Sequence, residues 1–200
     1  MASPIIKSSK EIILLLLYAK GKTNKYYEPI VGKTRLMKMI FLFKEELKKA
    51  FNKGFILDSS SLPDFTAYDF GPFSYEVYSD LEFLKINEFI MVHELKEQLI
   101  PEEIFEYKYW NNEMSLKQED DNQEGESYIL EEYTISELGK EFTEERLLRF
   151  LTNEQKTILD EFKKKCTEIS LRTLLRYVYK NYPKMITHSK IREDILKEFY

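Results

Sequence analysis

The tripeptide Gly32–Thr34, "GKT", has the residue types of a phosphate-binding loop and precedes an apolar segment with helical spacing. Backbone N–H groups at the start of a helix bind anions, and a lysine and a threonine complete such loops. The loop also requires a glycine five residues before Gly32, and this position is Tyr27. Without that glycine the backbone cannot wrap a phosphate. We therefore interpret Gly32 as a turn residue and Thr34 as a helix cap.

A second pattern has the residue types of metal-dependent nucleases. Pro63-Asp64 is followed by Glu94-Leu95-Lys96 and by Glu106-Tyr107-Lys108. In such enzymes two carboxylates hold a divalent cation and a lysine orients a water molecule. The chain contains 30 Lys and Arg and 35 Asp and Glu residues, so matches to this short pattern arise by chance. We predict no nuclease site.

Zinc binding and nucleophilic catalysis are also disfavoured. The chain has two histidines, His93 and His188, and one cysteine, Cys166, and no pair of them has the spacing of zinc ligands. A strand-to-helix serine motif with an ordered acid and histidine is absent as well. The sequence therefore predicts a protein that is not an enzyme, with no metal and no cofactor.

Composition limits the function classes further. The formal net charge of −5 over 200 residues is not that of a general nucleic-acid binder, so any nucleic-acid contact must come from a local basic patch. A single cysteine cannot form an internal disulfide, which favours the cytoplasm. The apolar run Ile12–Ala19 is too short to span a membrane, and we interpret it as a buried helix.

The elements that would position any site follow from apolar periodicity. The strongest helix extends from about Thr34 to Phe51, because apolar residues recur there every three or four positions. Gly71-Pro72 turns the chain before the third helix. The predicted caps are Ser8 or Ser9 for the first helix, Ser136 or Thr134 for the fourth and Thr152 for the fifth. The predicted helices are about 8–20, 34–51, 73–84, 137–151, 153–167 and 171–179, and the predicted strands are about 65–70, 88–95, 105–109 and 128–135.

This order predicts an α+β, mostly helical fold with a winged helix-turn-helix-like core. Residues 1–150 would form that domain, and residues 151–200 a C-terminal helical extension. The wing would be a long acidic insertion over about 94–127, and its tip at 117–127 has the composition of a solvated loop. The segment "YTISELG", residues 133–139, is similar to the segment that follows the wing in many winged-helix regulators.

Three segments resemble a known family. "VGKTRLMKMIFLF", "AYDFGPFSYEVYSDLEFL" and "LLRYVYKNYP" are similar to the prokaryotic Panacea group, which contains the SocA-like antitoxin domains and their YwgA-like relatives. The resemblance covers about Ile12 to Ile90, and the C-terminal "YVYKNYP" gives it additional support. It implies a regulatory module that binds a protein partner, often a toxin, without a cofactor. The long acidic insertion and the additional C-terminal helices depart from the family pattern.

The third helix has an acidic surface that distinguishes the two functional readings. This helix contains three carboxylates, Glu76, Asp80 and Glu82, and a single lysine, Lys85. Carboxylates repel a phosphate backbone. A protein interface suits this helix better, because aromatic side chains are typical anchors, although Phe83 has the pattern of a core residue. The predicted partner-binding residues are Tyr75, Glu76, Tyr78 and Ser79.

The alternative is a DNA-binding transcription regulator, for which a homodimer is compatible with the sequence. Basic residues are concentrated in the second helix and in the C-terminal region, where they could contact phosphates. The same charges would equally suit an ordinary solvated surface. The predicted nucleic-acid-binding residues are Lys33, Arg35, Lys38, Lys49, Arg172 and Arg176.

Overall fold

A computed structural model of the chain describes residues 5–52, 56–58, 60–95 and 130–197. The protein is α+β and mostly helical, as the sequence predicts. Its helices are α1 (Ser9–Tyr18), α2 (Lys33–Leu42), α3 (Lys48–Phe51), α4 (Tyr75–Ile86), α5 (Glu137–Arg146), α6 (Asn153–Glu168), α7 (Leu171–Asn181) and α8 (Arg192–Leu196). Its strands are β1 (Ile30–Val31), β2 (Thr66–Tyr68), β3 (Gly71–Phe73), β4 (Ile90–Leu95) and β5 (Leu130–Ile135).

Helix α1 is the centre of the hydrophobic core, which confirms that the apolar run is a buried helix. Every residue from Ile12 to Leu17 is buried. A capping box fixes its start: Ser8 accepts from the backbone of the first turn, and Glu11 accepts from the backbone N–H of Ser8. Helices α2, α4, α5 and α6 and strand β5 pack around it. A helix that is apolar on all sides requires such complete enclosure.

The second predicted helix is present but irregular. Helix α2 continues through a π-helical turn, Phe43–Leu47, into α3. The π-helical turn contains Glu46, whose Oε1 accepts hydrogen bonds from the hydroxyls of Tyr177 and Tyr182. The prediction that Thr34 caps α2 is wrong: Gly32 occupies the cap position with φ of 90°, and Thr34 is buried inside the helix. Gly32 is used because the left-handed region disfavours a side chain.

A short hairpin leads into α4. Strands β2 and β3 pair antiparallel, with Tyr68 opposite Gly71. The chain therefore reverses before Gly71, and the prediction that Gly71-Pro72 forms the turn is wrong. Gly71 has φ of 85°, and a Cβ there would lie 2.9 Å from the ring of Tyr179, so glycine is required by both backbone and space.

A three-stranded antiparallel sheet closes one side of the core. Its strand order is β1-β5-β4, and Ile90 lies opposite Ile135 in the β4–β5 register. Ser136 caps α5, as predicted. The predicted wing, apart from its first two residues in β4, and the predicted strand at 105–109 lie outside the described residues.

The C-terminal helices share the core with the preceding residues. Thr152 and Gln155 form a capping box at the start of α6, as the predicted cap at Thr152 requires. Leu159, Leu174 and Val178 belong to the same buried cluster as α1 and α2. Over the described ranges, no helix has both the length and the apolarity needed to cross a membrane.

The side chain of Lys163 on α6 joins this part to α1. It is fully buried, and its Nζ donates to the carbonyl oxygens of Leu17 at 3.2 Å, Ala19 at 2.8 Å and Glu28 at 2.6 Å. Two of these carbonyls lie at the C-terminal end of α1, which leaves carbonyls without helical partners. Lys163 therefore closes the end of the central helix and holds the following loop against it.

Because Gly139 has no side chain, helix α5 can approach the backbone of Phe89 closely. A Cβ at this position would lie 2.1 Å from the carbonyl oxygen of Phe89, so the backbone would have to shift. Although alanine favours helices, we expect Gly139→Ala to lower the free energy of unfolding by about 2 kcal/mol or more. Urea denaturation measures the change. Glu141→Ala, on the exposed side of α5, is the control and should change stability by less than about 0.5 kcal/mol.

The pH dependence of stability tests the environment of Lys163. Burial lowers the pKa of Lys163 to about 7, against the opposing effect of the Glu28 and Asp160 carboxylates. An unfolded lysine titrates near about pH 10.4, so between these values the unfolded chain binds more protons. We expect the stability of the native chain relative to Lys163→Met to rise with pH across this window and to be constant below it. If the stability difference between the native chain and Lys163→Met instead falls as the pH rises, the lowered pKa of Lys163 is contradicted. The exposed variant Lys165→Met is the control, and its stability difference from the native chain should not depend on pH in this window.

Candidate functional site

Helix α4 is positioned by a cap and by one buried face. Ser74 accepts from the backbone N–H of Val77, which fixes the start of the helix. Val77, Leu81 and Leu84 are buried against the core, and α1 is the main neighbour. Their spacing of four and three residues leaves the opposite face of α4 to solvent.

That opposite face carries a row of exposed apolar side chains. Tyr75 is 69% exposed, Phe83 is 47% exposed and Ile86 is 77% exposed. Ser79 lies between Tyr75 and Phe83, so the row follows helical spacing of four, four and three residues. We call Tyr75, Ser79, Phe83 and Ile86 the outer row of α4. Large apolar side chains in one row on a solvent-facing helix are typical of a contact surface.

The predicted partner-binding residues are only partly on this surface. Tyr75, Glu76 and Ser79 are exposed, whereas Tyr78 is half-buried and its ring lies 5.0 Å from the Nζ of Lys33. The sequence interpretation missed Ile86 and assigned Phe83 to the core. The signal that could have found them is their distance of eight and eleven positions from Tyr75, which places them on its face of the helix.

One of the acidic residues of α4, Asp80, has a structural role. Asp80 is only 7% exposed, and its carboxylate accepts from the hydroxyl of Ser9 at 2.5 Å and from the ammonium of Lys10 at 2.8 Å. Its charge is therefore compensated by α1. Glu76 and half-buried Glu82 remain to give the outer surface its negative charge.

An aromatic series links the outer row to the β2–β3 hairpin. The ring centroids of Tyr68 and Phe73 are 5.1 Å apart, and those of Phe73 and Tyr75 are 4.8 Å apart in an edge-to-face arrangement. Such pairs hold aromatic rings in defined orientations. Tyr75 is thus exposed and oriented, which suits a preformed contact.

Most of the predicted nucleic-acid-binding residues have contacts within the chain. Lys33 forms an ion pair with Glu131 at 3.2 Å, and Lys49 is exposed. The arginines donate to backbone carbonyls: Arg35 to Cys166 and Ile169, Arg172 to Asp194, and Arg176 to Ile195 and Lys197. These bonds join α2 to the end of α6 and α7 to α8. The arginines therefore have structural roles that the sequence pattern did not indicate.

Lys38 requires a correction. Its side chain is 2% exposed, and its Nζ donates to the carbonyl oxygen of Pro72 at 2.9 Å. A phosphate backbone cannot reach it without disrupting this buried contact, so we remove Lys38 from the predicted nucleic-acid-binding set. The lysine instead holds the hairpin on α2.

The described residues of the patterns considered for catalysis are not assembled into a site. Asp64 is exposed and pairs with Lys44 at 3.2 Å, while Lys96 and 106–108 lie outside the described residues. His93 and His188 are exposed, and Cys166 is buried, which raises the pKa of its thiol to about 12. Among the described residues no group of three or more His, Cys, Asp or Glu side chains is arranged to hold a metal ion.

Comparison with known proteins gives no assignment. No family model matches the chain, and neither a curated protein nor a solved structure matches it.

The contrast between Asp80 and its acidic neighbours can be tested by substitution. Asp80→Ala leaves the hydroxyl of Ser9 without its acceptor and the ammonium of Lys10 without its partner. We expect a loss of about 2 kcal/mol in the free energy of unfolding. Glu76→Ala on the exposed face should cost less than about 0.5 kcal/mol. Equal effects of the two substitutions in urea denaturation would contradict the structural role of Asp80.

Proposed function

We propose that this protein is a non-enzymatic regulatory module that binds a protein partner through the outer row of α4. The proposal follows the resemblance to the SocA-like antitoxins, so the partner class includes toxins that the module neutralises or regulates. It places the protein in the cytoplasm and requires no cofactor. The outer row is the observation that carries the proposal.

The exposed area of this row favours a partner. Tyr75 and Ile86 are separated by eleven residues, or about 16 Å along a helix. Covering apolar surface contributes about 25 cal/mol per Å², and interface energy is concentrated in a few aromatic and apolar anchors. A helix with anchors on one face fits into a groove of a partner protein. Glu76 at the edge of the row would select against acidic partners.

The internal contacts of the basic residues also support a protein partner. A phosphate-binding surface needs several cationic side chains that can turn towards the ligand. Arg35, Arg172 and Arg176 instead donate to backbone carbonyls, and Lys38 is buried. Reaching a nucleic acid would break contacts that join helices.

A winged-helix DNA-binding regulator is the second candidate, and the element order favours it. Helices α1, α2 and α4 precede the antiparallel pair β4–β5, and β1, which lies between α1 and α2 in the chain, completes the sheet of order β1-β5-β4. In a winged helix the third helix enters the major groove and the strand pair carries the wing. Here that helix would present Glu76 and Glu82, so phosphate contacts would fall to Lys49 and other exposed basic residues. A homodimer would suit this candidate.

Affinity capture from a native cell lysate distinguishes the two candidates. The full chain, the double variant Tyr75→Ala/Ile86→Ala and the control Lys49→Ala are compared at about 0.15 M and about 0.5 M salt, with and without nuclease. We expect one protein to be captured at both salt concentrations by the full chain and by Lys49→Ala. The double variant should lose it, since a single anchor contributes about 2 kcal/mol, or more than tenfold in affinity.

Recovery of DNA alone, at low salt only and reduced by Lys49→Ala, would overturn the proposal in favour of the second candidate. Retention of the partner by the double variant would show that the outer row is not the interface. Because the two substituted side chains are exposed, all three proteins should have the same melting temperature.

A further inference from the structure

A cavity of about 230 Å³ lies beside the end of α1, far in sequence from the outer row of α4. Its apolar and aromatic lining comes from Tyr18, Tyr26, Leu148 and Leu159, and its polar lining from Lys156 and Asp160 of α6. Small-molecule sites commonly combine such an apolar lining with a few polar groups. None of these residues belongs to the proposed partner interface.

The aromatic wall of the cavity is held in place by several contacts. The ring centroids of Tyr18 and Tyr26 are 5.8 Å apart, and Tyr27 packs edge-to-face on Tyr18 at 4.9 Å. The hydroxyl of Tyr18 donates to Glu144 at 2.6 Å. Tyr26 lies in the loop after α1, and Lys163 holds both ends of this loop by donating to the carbonyl oxygens of Ala19 and Glu28. The wall is preformed, which reduces the ordering cost of ligand binding.

This loop also contains unfavourable backbone conformations. Asn24 and Tyr27 both have φ of 62°. The left-handed region is disfavoured for an aromatic residue, and such conformations are concentrated at functional sites. In this conformation the ring of Tyr27 packs on Tyr18, and the adjacent Tyr26 lines the cavity.

The two charged lining residues are four positions apart on α6 but do not pair with each other. Within the part of the chain that the structure describes, the side chain of Lys156 makes no hydrogen bond or ion pair, and only its backbone N–H donates, to the carbonyl oxygen of Thr152. Asp160 accepts from the backbone N–H of Lys20 through Oδ1 at 3.0 Å, whereas Oδ2 lies 3.7 Å from the Nζ of Lys20, beyond hydrogen-bond distance. The cavity is therefore lined by one cation whose side chain has no partner and by one carboxylate oxygen whose contact is the 3.7 Å ion pair with Lys20.

The surroundings of Asp160 already accommodate an ammonium group. The Nζ of Lys20 lies 4.8 Å from the ring centroid of Tyr26, in addition to its loose contact with Oδ2. An aromatic face and a carboxylate together stabilise such a cation. Lys156, one helical turn from Asp160 on α6, provides a positive charge for the carboxylate of a ligand.

We propose that this cavity binds an α-amino acid with an apolar side chain. The ammonium of the ligand contacts Asp160, its carboxylate contacts Lys156, and its side chain packs among Tyr18, Tyr26 and Leu148. The volume accommodates on the order of ten non-hydrogen atoms, since a water molecule in the liquid occupies about 30 Å³. A ligand with only an ammonium would leave Lys156 unmatched, and a ligand with only a carboxylate would leave Asp160 with its contacts to Lys20 alone.

The test is a titration of the full isotope-labelled chain with L-phenylalanine, followed by ¹H–¹⁵N NMR. Two analogues each remove one charge: L-phenylalaninamide lacks the carboxylate and N-acetyl-L-phenylalanine lacks the ammonium. For a ligand of this size we expect a Kd on the order of 1 mM, with shifts at Tyr18 and Tyr26. Each analogue should bind at least about fivefold more weakly, since it loses one charged contact.

Matched variants assign each charge. Lys156→Met should weaken phenylalanine binding at least about fivefold and leave the amide analogue unaffected, because that analogue has no carboxylate. Asp160→Asn retains an acceptor for the N–H of Lys20, and it should weaken phenylalanine binding but not N-acetylphenylalanine binding. Lys165→Met, exposed on the same helix, is the control and should bind as the unmodified chain does.

Three results would overturn the proposal. The first is the absence of saturable shifts up to about 20 mM phenylalanine, well above the expected Kd. The second is equal affinity for phenylalanine and either analogue, which would indicate a site for an anion or a cation alone. The third is binding that neither Lys156→Met nor Asp160→Asn changes while both variants keep the melting temperature of the unmodified chain.

Discussion

The burial of the apolar segment Ile12–Leu17 of helix α1 is the constraint on which the rest of the structure depends. Burying a leucine or isoleucine side chain contributes about 1.5–3 kcal/mol, but enclosing a whole helix also removes its ends from water. Both ends of α1 are compensated by charges from other helices. Asp80 contacts Ser9 and Lys10 in the first turn, and Lys163 contacts the carbonyls of Leu17 and Ala19. A carboxylate at the start and an ammonium at the end also match the helix dipole.

This arrangement accounts for the unusual surface of α4. Asp80 faces α1, where its carboxylate accepts from the side chains of Ser9 and Lys10, and Val77 and Leu81 follow it into the core. The opposite face then necessarily presents Tyr75 and Ile86 to solvent. The acidity that argues against a major-groove role comes in part from a residue that never faces solvent. The proposed protein contact therefore rests on the apolar row and on the remaining carboxylates.

The other end of α1 has a comparable consequence. Lys163 holds the loop after α1 by bonding the carbonyl of Glu28, and this loop brings Tyr26 next to Tyr18. The cavity between this loop and α6 is thus a by-product of closing the central helix. Basic residues elsewhere serve the same purpose of satisfying carbonyls at helix ends: Arg35 does so for α6. The positive charges of Lys38, Lys163, Arg35, Arg172 and Arg176 consequently have structural roles.

Local sequence signals determined the elements of this protein. Apolar periodicity and capping residues such as Ser136 and Thr152 predicted the helices, because both act within one or two turns of the chain. The general position of the proposed partner surface, after Gly71, also comes from the sequence. Only the tertiary structure decided which charges are internal, that Lys38 is buried and that Ile86 is exposed. Those outcomes depend on contacts between residues far apart in the chain, which periodicity and local composition do not record.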